Sequence, residues 1–396
     1  MLTPLDLMAR PDVFTIHHAF ADIWVSQDGQ SDVDYAYGGT RLVDPRTSDS
    51  EVAAHLSRLT LYESSIKNRL IDIALQANVL ERYRERLPPG LLESRVGGAR
   101  CIIRPRTRGV ASILKDPHDP EFHPLVSHLF QEVGEFLNTC QGKIKLTPDF
   151  GRFAGMADIL AEFTPHVLGI RCEEGGCGGK SSYSSTGIIA ALETLGYGER
   201  TEEPVTLIGS AGAMGSGVLQ YFTLEHFQNL ALCDLAYEAD PPQTLSPEQY
   251  PLLPARWQAF TDACLQRGGL IIATTLGQEL EHSNWQVIPA HTTFLLAHNL
   301  AIPEGEAGFA LMQQVAHREI LAVPGQILTL GGALTSRLEW FWRQSRPHQY
   351  FDKPLAHLIV RAVVGFLVSR ICEISRQMDL TPYETMLQVS RREREL

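Results

Sequence analysis

Residues 205–234 read VTLIGSAGAMGSGVLQYFTLEHFQNLALCD, and this stretch decides the fold. An apolar run, Val205–Ile208, meets a turn containing Gly209, Gly212 and Gly215. A helical pattern follows, then a second apolar run, Leu230–Cys233, that ends in Asp234. This is the outline of one βαβ unit. Glycines in the turn let the backbone bend sharply and approach a pyrophosphate, whose charge then rests on the helix N-terminus. Asp234, 19 residues after Gly215, stands where a carboxylate accepts hydrogen bonds from an adenosine ribose. The spacing is GxxGxxG rather than GxGxxG, so strand, helix and Asp234 carry the reading together. A tight strand–helix turn that binds nothing would show the same glycines. A carboxylate at 234 repels a 2′-phosphate, and Leu235–Glu238 bring no Arg or Lys, so NAD is expected over NADP.

Working outward, Leu270–Thr274, Thr293–Ala297 and Ile320–Val323 are further buried-strand runs separated by helical patterns. Strands alternating with helices imply an α/β fold whose parallel sheet carries helices on both faces and binds ligands at the strands' carboxyl ends. Upstream, residues 13–25 read as strand, Ser50–Arg86 as helix broken by Pro88–Pro89–Gly90, Cys101–Ile103 as a short strand and Pro124–Cys140 as an amphipathic helix. The Gly- and Ser-rich segment Cys172–Ser185 reads as an interdomain hinge and cleft loop. Three parts are expected: an N-terminal α/β substrate-binding and oligomerisation domain over 1–180, a Rossmann-type NAD-binding domain over 181–340, and helices over 341–396. These last helices would pack back on the cleft or the first domain.

The chain has 396 residues, 44% hydrophobic and 20% charged, enough for two domains. Its net charge of −12, with no basic cluster interleaved with aromatics, argues against a nucleic-acid partner. Seven cysteines without framework spacing point to reduced thiols in a cytoplasm. The N-terminus does not read as a signal peptide. The apolar run Leu355–Ile371 carries Arg361 and Arg370 and reads as a buried helix, so no membrane span is expected.

A colinear series of short segments resembles the glutamate/leucine/phenylalanine/valine dehydrogenase family. Tyr37–Arg41 (YGGTR) resembles its GGTR turn, and Leu59–Asn68 (LTLYESSIKN) its substrate-lysine helix, which makes Lys67 that lysine. Gly97–Arg100 (GGAR) sits where the family has GGxK, and Leu146–Gly151 (LTPDFG) resembles the catalytic-aspartate segment, giving Asp149. Ser184–Gly187 resembles the turn that touches the nicotinamide. Ala273–Gly277, which includes Thr274, resembles a strand end, Ala297–Asn299 the GAN turn, and Pro324–Glu339 the segment PDxxxNAGGVxxSxxE. The resemblance implies NAD(P)-dependent oxidative deamination of an L-amino acid to a 2-oxo acid and ammonia in a closing interdomain cleft of a homo-oligomer. It adds Ser184, Thr274 and Asn299 to the cofactor contacts read from the turn at Gly209, Gly212, Gly215 and Asp234, and it assigns catalysis to Lys67, Arg100 and Asp149.

Arg100 departs from that pattern. Arginine stays protonated and cannot act as a general base. Three readings follow. Arg100 clamps the substrate carboxylate while Lys67 moves protons; or Asp149, Lys143, Lys145 or Lys180 moves them; or deamination is lost, leaving a specialised imine or carbonyl reductase or a non-catalytic NAD-responsive protein. Lys67 and Arg100 are also 33 positions apart, against about a dozen in the family pattern, and Leu70–Val96 is expected to form an added lobe or interface. Thr329 stands where the family has an asparagine.

By the same resemblance Tyr37, Gly38, Thr147, Ala333 and Ser336 surround the substrate side chain. Tyr37 cannot pair a side-chain carboxylate as a lysine would, which disfavours glutamate. Three hydroxyls needing partners predict a polar or aromatic substrate side chain, unless they bond to backbone and specify nothing. Cys172 and Cys177 lack the further ligands a metal would need, so no metal is expected. His17 and His18 read as structural. His298, at a strand's carboxyl end, is a secondary candidate for proton transfer.

Overall fold

The computed structural model describes residues 11–30, 32–148, 150, 153, 155–238, 252–253, 261–275, 285–347 and 349–391. Eleven strands among these form two sheets.

The first sheet contains β1 (Asp12–His17), β2 (Ala21–Gln27), β3 (Tyr35–Leu42), β4 (Val96–Pro105) and β5 (Ile144–Thr147), in the order β1-β2-β4-β3-β5. The β1-β2 and β2-β4 pairs are antiparallel, whereas β4-β3 and β3-β5 are parallel. β4 is longer than the expected Cys101–Ile103 strand and takes in the whole GGAR segment. A β-carbon at Gly98 would run into the backbone of Ser65 and Thr60. The glycine thus lets the segment Leu59–Ser65, wound as a π-helix, lie directly on the strand. The helix Ile66–Gln76 continues from it.

The second sheet is wholly parallel: β6 (Val205–Ile208), β7 (Leu230–Cys233), β8 (Leu252–Leu253), β9 (Leu270–Ala273), β10 (Thr293–Leu296) and β11 (Leu321–Val323). Its order, β8-β7-β6-β9-β10-β11, is the 3-2-1-4-5-6 arrangement of the Rossmann sheet. The strand order reverses between β6 and β9, and a ligand crevice opens beyond their carboxyl ends. β6, β7, β9 and β10 are buried along their whole length, which explains why they read as unbroken apolar runs.

One hydrophobic cluster fills the space between the first sheet and the helix Phe122–Thr139, with Ile23, Ile103, Val126 and Phe130 at its centre. A larger one runs from the Rossmann sheet through the helices Ser181–Thr194, Leu330–Ser345 and Lys353–Met378. The helix Ile66–Gln76 belongs to this second cluster through Ile66, Leu70 and Ala74, so the element bearing Lys67 joins the two halves.

Two expectations change. Leu70–Val96 is not a separate lobe: Leu80, Leu87 and Leu91 enter the larger cluster, Arg86 pairs with Asp352 at 3.0 Å, and Gly90 lies against Phe341. Ser181–Ser185 is not hinge loop but the first turns of the helix Ser181–Thr194. Gly187 lets that helix touch the Leu328 carbonyl, and Gly331 lets the following helix touch Tyr183. Lys353–Met378 is long and apolar enough to cross a membrane, but 56% of its apolar window is buried in the protein. Leu355, Ile359, Val363 and Leu367 form its buried side, as expected for a core helix.

Candidate active site

A cavity of about 540 Å³ separates β3, β4 and β5 from the chain that follows β9 and β10. Tyr37, Gly38, Lys67, Arg100, Thr147, Ser184, Asn299, Ala333 and Ser336, all singled out in the sequence, line it together. Thr274 is buried next to the lining residue Thr275. Asp149, with Gly151, Leu276 and Gly277 of the quoted motifs, lies outside the described residues.

The wall built by the Leu59–Gln76 segment and β4 carries the charge. Glu63, 2% exposed, lies between two cations. Arg100 pairs with its Oε1 directly, and Lys67 Nζ lies 3.7 Å from the same oxygen. Burial alone would raise the Glu63 carboxyl, but the charges of Arg100, Lys67 and Arg41 outweigh it and hold it below the usual carboxylate range. Burial also dominates at Lys67, and with the neighbouring arginines it outweighs Glu63 and pushes the lysine down to about 8. Lys67 Nζ donates to Asn299 Oδ1 at 2.7 Å, joining the first wall to the carboxyl end of β10. An ammonium only donates, so the amide oxygen must face it and the amide NH2 turns the other way. Thr329 Oγ1 lies 2.8 Å from the same Oδ1 and 2.7 Å from the Gly325 carbonyl, so its single proton serves one of them at a time.

At the glycine turn, Gly209 has a φ of 81° and a β-carbon there would strike Thr274. Thr274 Oγ1 sits 3.0 Å from the carbonyls of both Ile208 and Gly209, tying β9 to the turn. A β-carbon at Gly215 would overlap the Gly209 carbonyl, so helix and turn can close only around glycine. Gly212 opens the helix Ala213–Leu224 without a side-chain cap, leaving its first amides available to an anion. Asp234 ends β7 with its Oδ2 accepting from the Ala211 amide at 2.8 Å and its Oδ1 from Ala236 at 2.9 Å. The carboxylate therefore braces the turn itself. From this helix only Met214 reaches the cavity wall.

No protein-family model matches the sequence, and no curated protein matches it. Solved structures do resemble the fold. L-tryptophan dehydrogenase from Nostoc punctiforme superposes with a TM-score of 0.63 at 14% identity, over 96% of this chain and 95% of its own. The hetero-hexameric glutamate dehydrogenase from Thermus thermophilus, in a Leu-bound form, gives 0.65 at 16% identity, over 97% and 87%. Glutamate dehydrogenase from Peptoniphilus asaccharolyticus gives 0.60 at 14%, over 98% and 90%. This is the amino acid dehydrogenase fold.

Within the amino acid dehydrogenase fold, several expectations are revised. Ser184 belongs to a helix rather than a turn, though it does face the cleft. The hydroxyls of the side-chain pocket are already satisfied. Tyr37 donates to the Ala333 carbonyl, Ser336 Oγ to Gly332 at 2.9 Å and Thr147 Oγ1 to Gly38 at 3.4 Å. They bond to backbone and give no reason for a polar substrate. Lys145 donates to the Gly142 carbonyl at 2.6 Å between the rings of Tyr35 and Trp340, in a separate hollow, and Lys143 is exposed. Lys180 and His298 do line the cleft. Cys177 is fully buried, and no cluster among the described residues could hold a metal ion. Glu63 escaped sequence reasoning, although a glutamate four residues before a helical lysine shares its face. Glu339 was read only as the end of a motif. Its fully buried carboxylate accepts from the amides of Gly169 at 2.7 Å and Cys177 at 3.1 Å, fastening the segment before Ser181.

Proposed function

We propose that the protein is an NAD-dependent oxidoreductase that converts an L-amino acid to its 2-oxo acid and ammonia, or runs the reverse reductive amination. The observation that carries this reading is the meeting of Lys67 with Asn299. A buried lysine held near neutrality reaches the carboxyl end of a Rossmann sheet, where a nicotinamide would lie. The glycine turn fits a dinucleotide, because Gly209 and Gly215 let strand, turn and helix close as tightly as a phosphate-binding turn requires, and the helix beyond Gly212 offers free amides. When bound, NAD would accept the hydride from the substrate's α-carbon. Asp234 opposes a 2′-phosphate, which supports NAD over NADP.

Lys67 is the proton-transfer group of this scheme. Unprotonated, it accepts a proton from the substrate ammonium or from attacking water, and it returns that proton in the reverse direction. Asn299 positions the ammonium. Glu63 answers the charge of Arg100 and, by its own charge, keeps Lys67 from becoming still more acidic. Asp149 retains the catalytic role that the family resemblance implies. Ser184 and Thr274 join the glycines and Asp234 in holding the cofactor. Tyr37, Gly38, Thr147, Ala333 and Ser336 surround the substrate side chain. The aromatic ring of Tyr37 keeps an aromatic side chain in view, whereas the argument for a polar one has lost its support. A cytoplasmic homo-oligomer completes the proposal.

The pairing of Arg100 with Glu63 favours one second reading, a reductase for a different imine or carbonyl. The deciding experiment follows NADH absorbance with NAD⁺ across L-amino acids at alkaline pH, then with 2-oxo acids, ammonia and NADH. Turnover in both directions supports the first reading. Silence with amino acids, together with NADH oxidation on another imine or ketone, supports the second. Silence throughout, with NAD binding intact, leaves a binding role.

A further inference from the structure

Arg41, Lys67, Arg100 and Lys180 line the cleft, and among the described residues Glu63 is the one carboxylate facing them. That carboxylate is committed. Arg100 pairs with it directly, and Lys67 lies 3.7 Å from the same oxygen while donating to Asn299. Arg41 is placed differently. Its side chain makes no hydrogen bond or ion pair with any described residue, yet it is close enough for its charge to act on both Glu63 and Lys67. It sits four residues after Tyr37 in β3, so strand alternation puts both side chains on the same face. Backbone pairing of Arg41 with Ile102 of β4 fixes its base, and the side chain is only half-buried.

A guanidinium offers five donors in a planar fork that matches a carboxylate. In a cleft, with no acid among the described residues paired to it, that fork is a preformed anion site. Arg100 has the same chemistry, but its charge is already answered. A second carboxylate beside it would have to approach Glu63, against like-charge repulsion.

We propose that Arg41, not Arg100, anchors the substrate carboxylate, and that Glu63 withholds Arg100 from it. This rests on the amino acid/2-oxo acid reading above. The carboxylate at Arg41 leaves the adjacent carbon, bearing the amino or oxo group, to be presented to Lys67 and Asn299.

The test measures binding and turnover separately on the full chain with NADH. Pyruvate, 4-methyl-2-oxopentanoate and 3-phenylpyruvate are titrated by calorimetry, each beside the ketone in which a methyl replaces the carboxylate. R41Q is expected to weaken the oxo acids about 10- to 100-fold, the range for losing a charged hydrogen bond, and to leave the ketones within about twofold. R41K restores part of the loss, and matching thermal melts show that the variants fold. Equal weakening of acids and ketones, no weakening at all, or selective loss of the acids in R100Q instead would overturn the anchor. So would failure of every oxo acid to bind the unaltered protein. Oxo-acid binding that depends on Arg41 without NADH oxidation in ammonia sinks the reaction and keeps the anchor. Turnover whose KM is unmoved by R41Q does the opposite.

Discussion

The Lys67 ammonium donates to Asn299 Oδ1 at 2.7 Å, across 232 residues of sequence, and so ties the substrate wall to the dinucleotide sheet. The contact sets the state in which Lys67 waits. With the lysine pushed down to about 8, its neutral, proton-accepting form grows as pH rises through that value. Amino acid oxidation should therefore climb on an acid limb centred near pH 8. Lys67→Gln should abolish the limb and lower kcat by about 10²- to 10⁴-fold. A profile from pH 6 to 10 that is flat for the unaltered protein would contradict this.

Asn299→Asp places a carboxylate beside the ammonium and favours its charged form. The acid limb should move to higher pH by about one unit or more. Asn299→Ala removes the contact without adding charge and should move it less. The comparison of the two pH–rate profiles is the measurement.

Glu63→Gln strands Arg100 in a buried wall. Breaking a buried ion pair from one side costs about 3–5 kcal/mol, read by urea denaturation. The folded-state carboxyl is held low, so its contribution is present above the ordinary carboxylate pKa and is lost as pH falls through the depressed one. The stability gap between the two proteins should thus be full at pH 7 and shrink in acid. The same variant takes away the charge that raises Lys67, so the acid limb should shift to lower pH.

Gly215→Ala forces a β-carbon into the Gly209 carbonyl and should weaken NADH binding severely. Asp234→Asn is milder: the turn keeps an acceptor, but the charge against a 2′-phosphate is gone. NADH affinity should fall about tenfold, worth ~1.4 kcal/mol, while NADPH gains relative to it. Fluorescence titration with both nucleotides decides the point, and an unchanged preference would remove Asp234 from cofactor selection.

Glu339→Gln leaves the amides of Gly169 and Cys177 with a weaker acceptor in a fully buried site. A loss of about 1–3 kcal/mol is expected, with faster limited proteolysis between residues 169 and 180. Lys67→Gln should leave that cleavage rate unchanged, because the lysine's partners, Glu63 and Asn299, lie outside that segment.

What the sequence determined by itself was the second sheet. Val205–Ile208, Leu230–Cys233 and their successors are buried on both faces, and a strand so buried must be apolar without interruption, a property visible in one dimension. The glycine turn was legible for the same local reason, since backbone that bends so tightly admits no β-carbon. The family motifs then supplied most of the cavity wall among the described residues. Other features depended on contacts between distant residues. The serines around Ser184 look like loop material and Gly187 like a turn, but small residues also let helices touch, as Gly187 and Gly331 do here. The hydroxyls of Tyr37, Thr147 and Ser336 could have faced a ligand, and only the packed structure shows backbone carbonyls taking them. Glu63 and Arg100 are 37 positions apart, and they meet because Gly98 lets a helix lie on a strand. Which cation in the cleft keeps its charge for a ligand was therefore decided by tertiary structure, because a charge is neutralised by its neighbours in space and not in sequence.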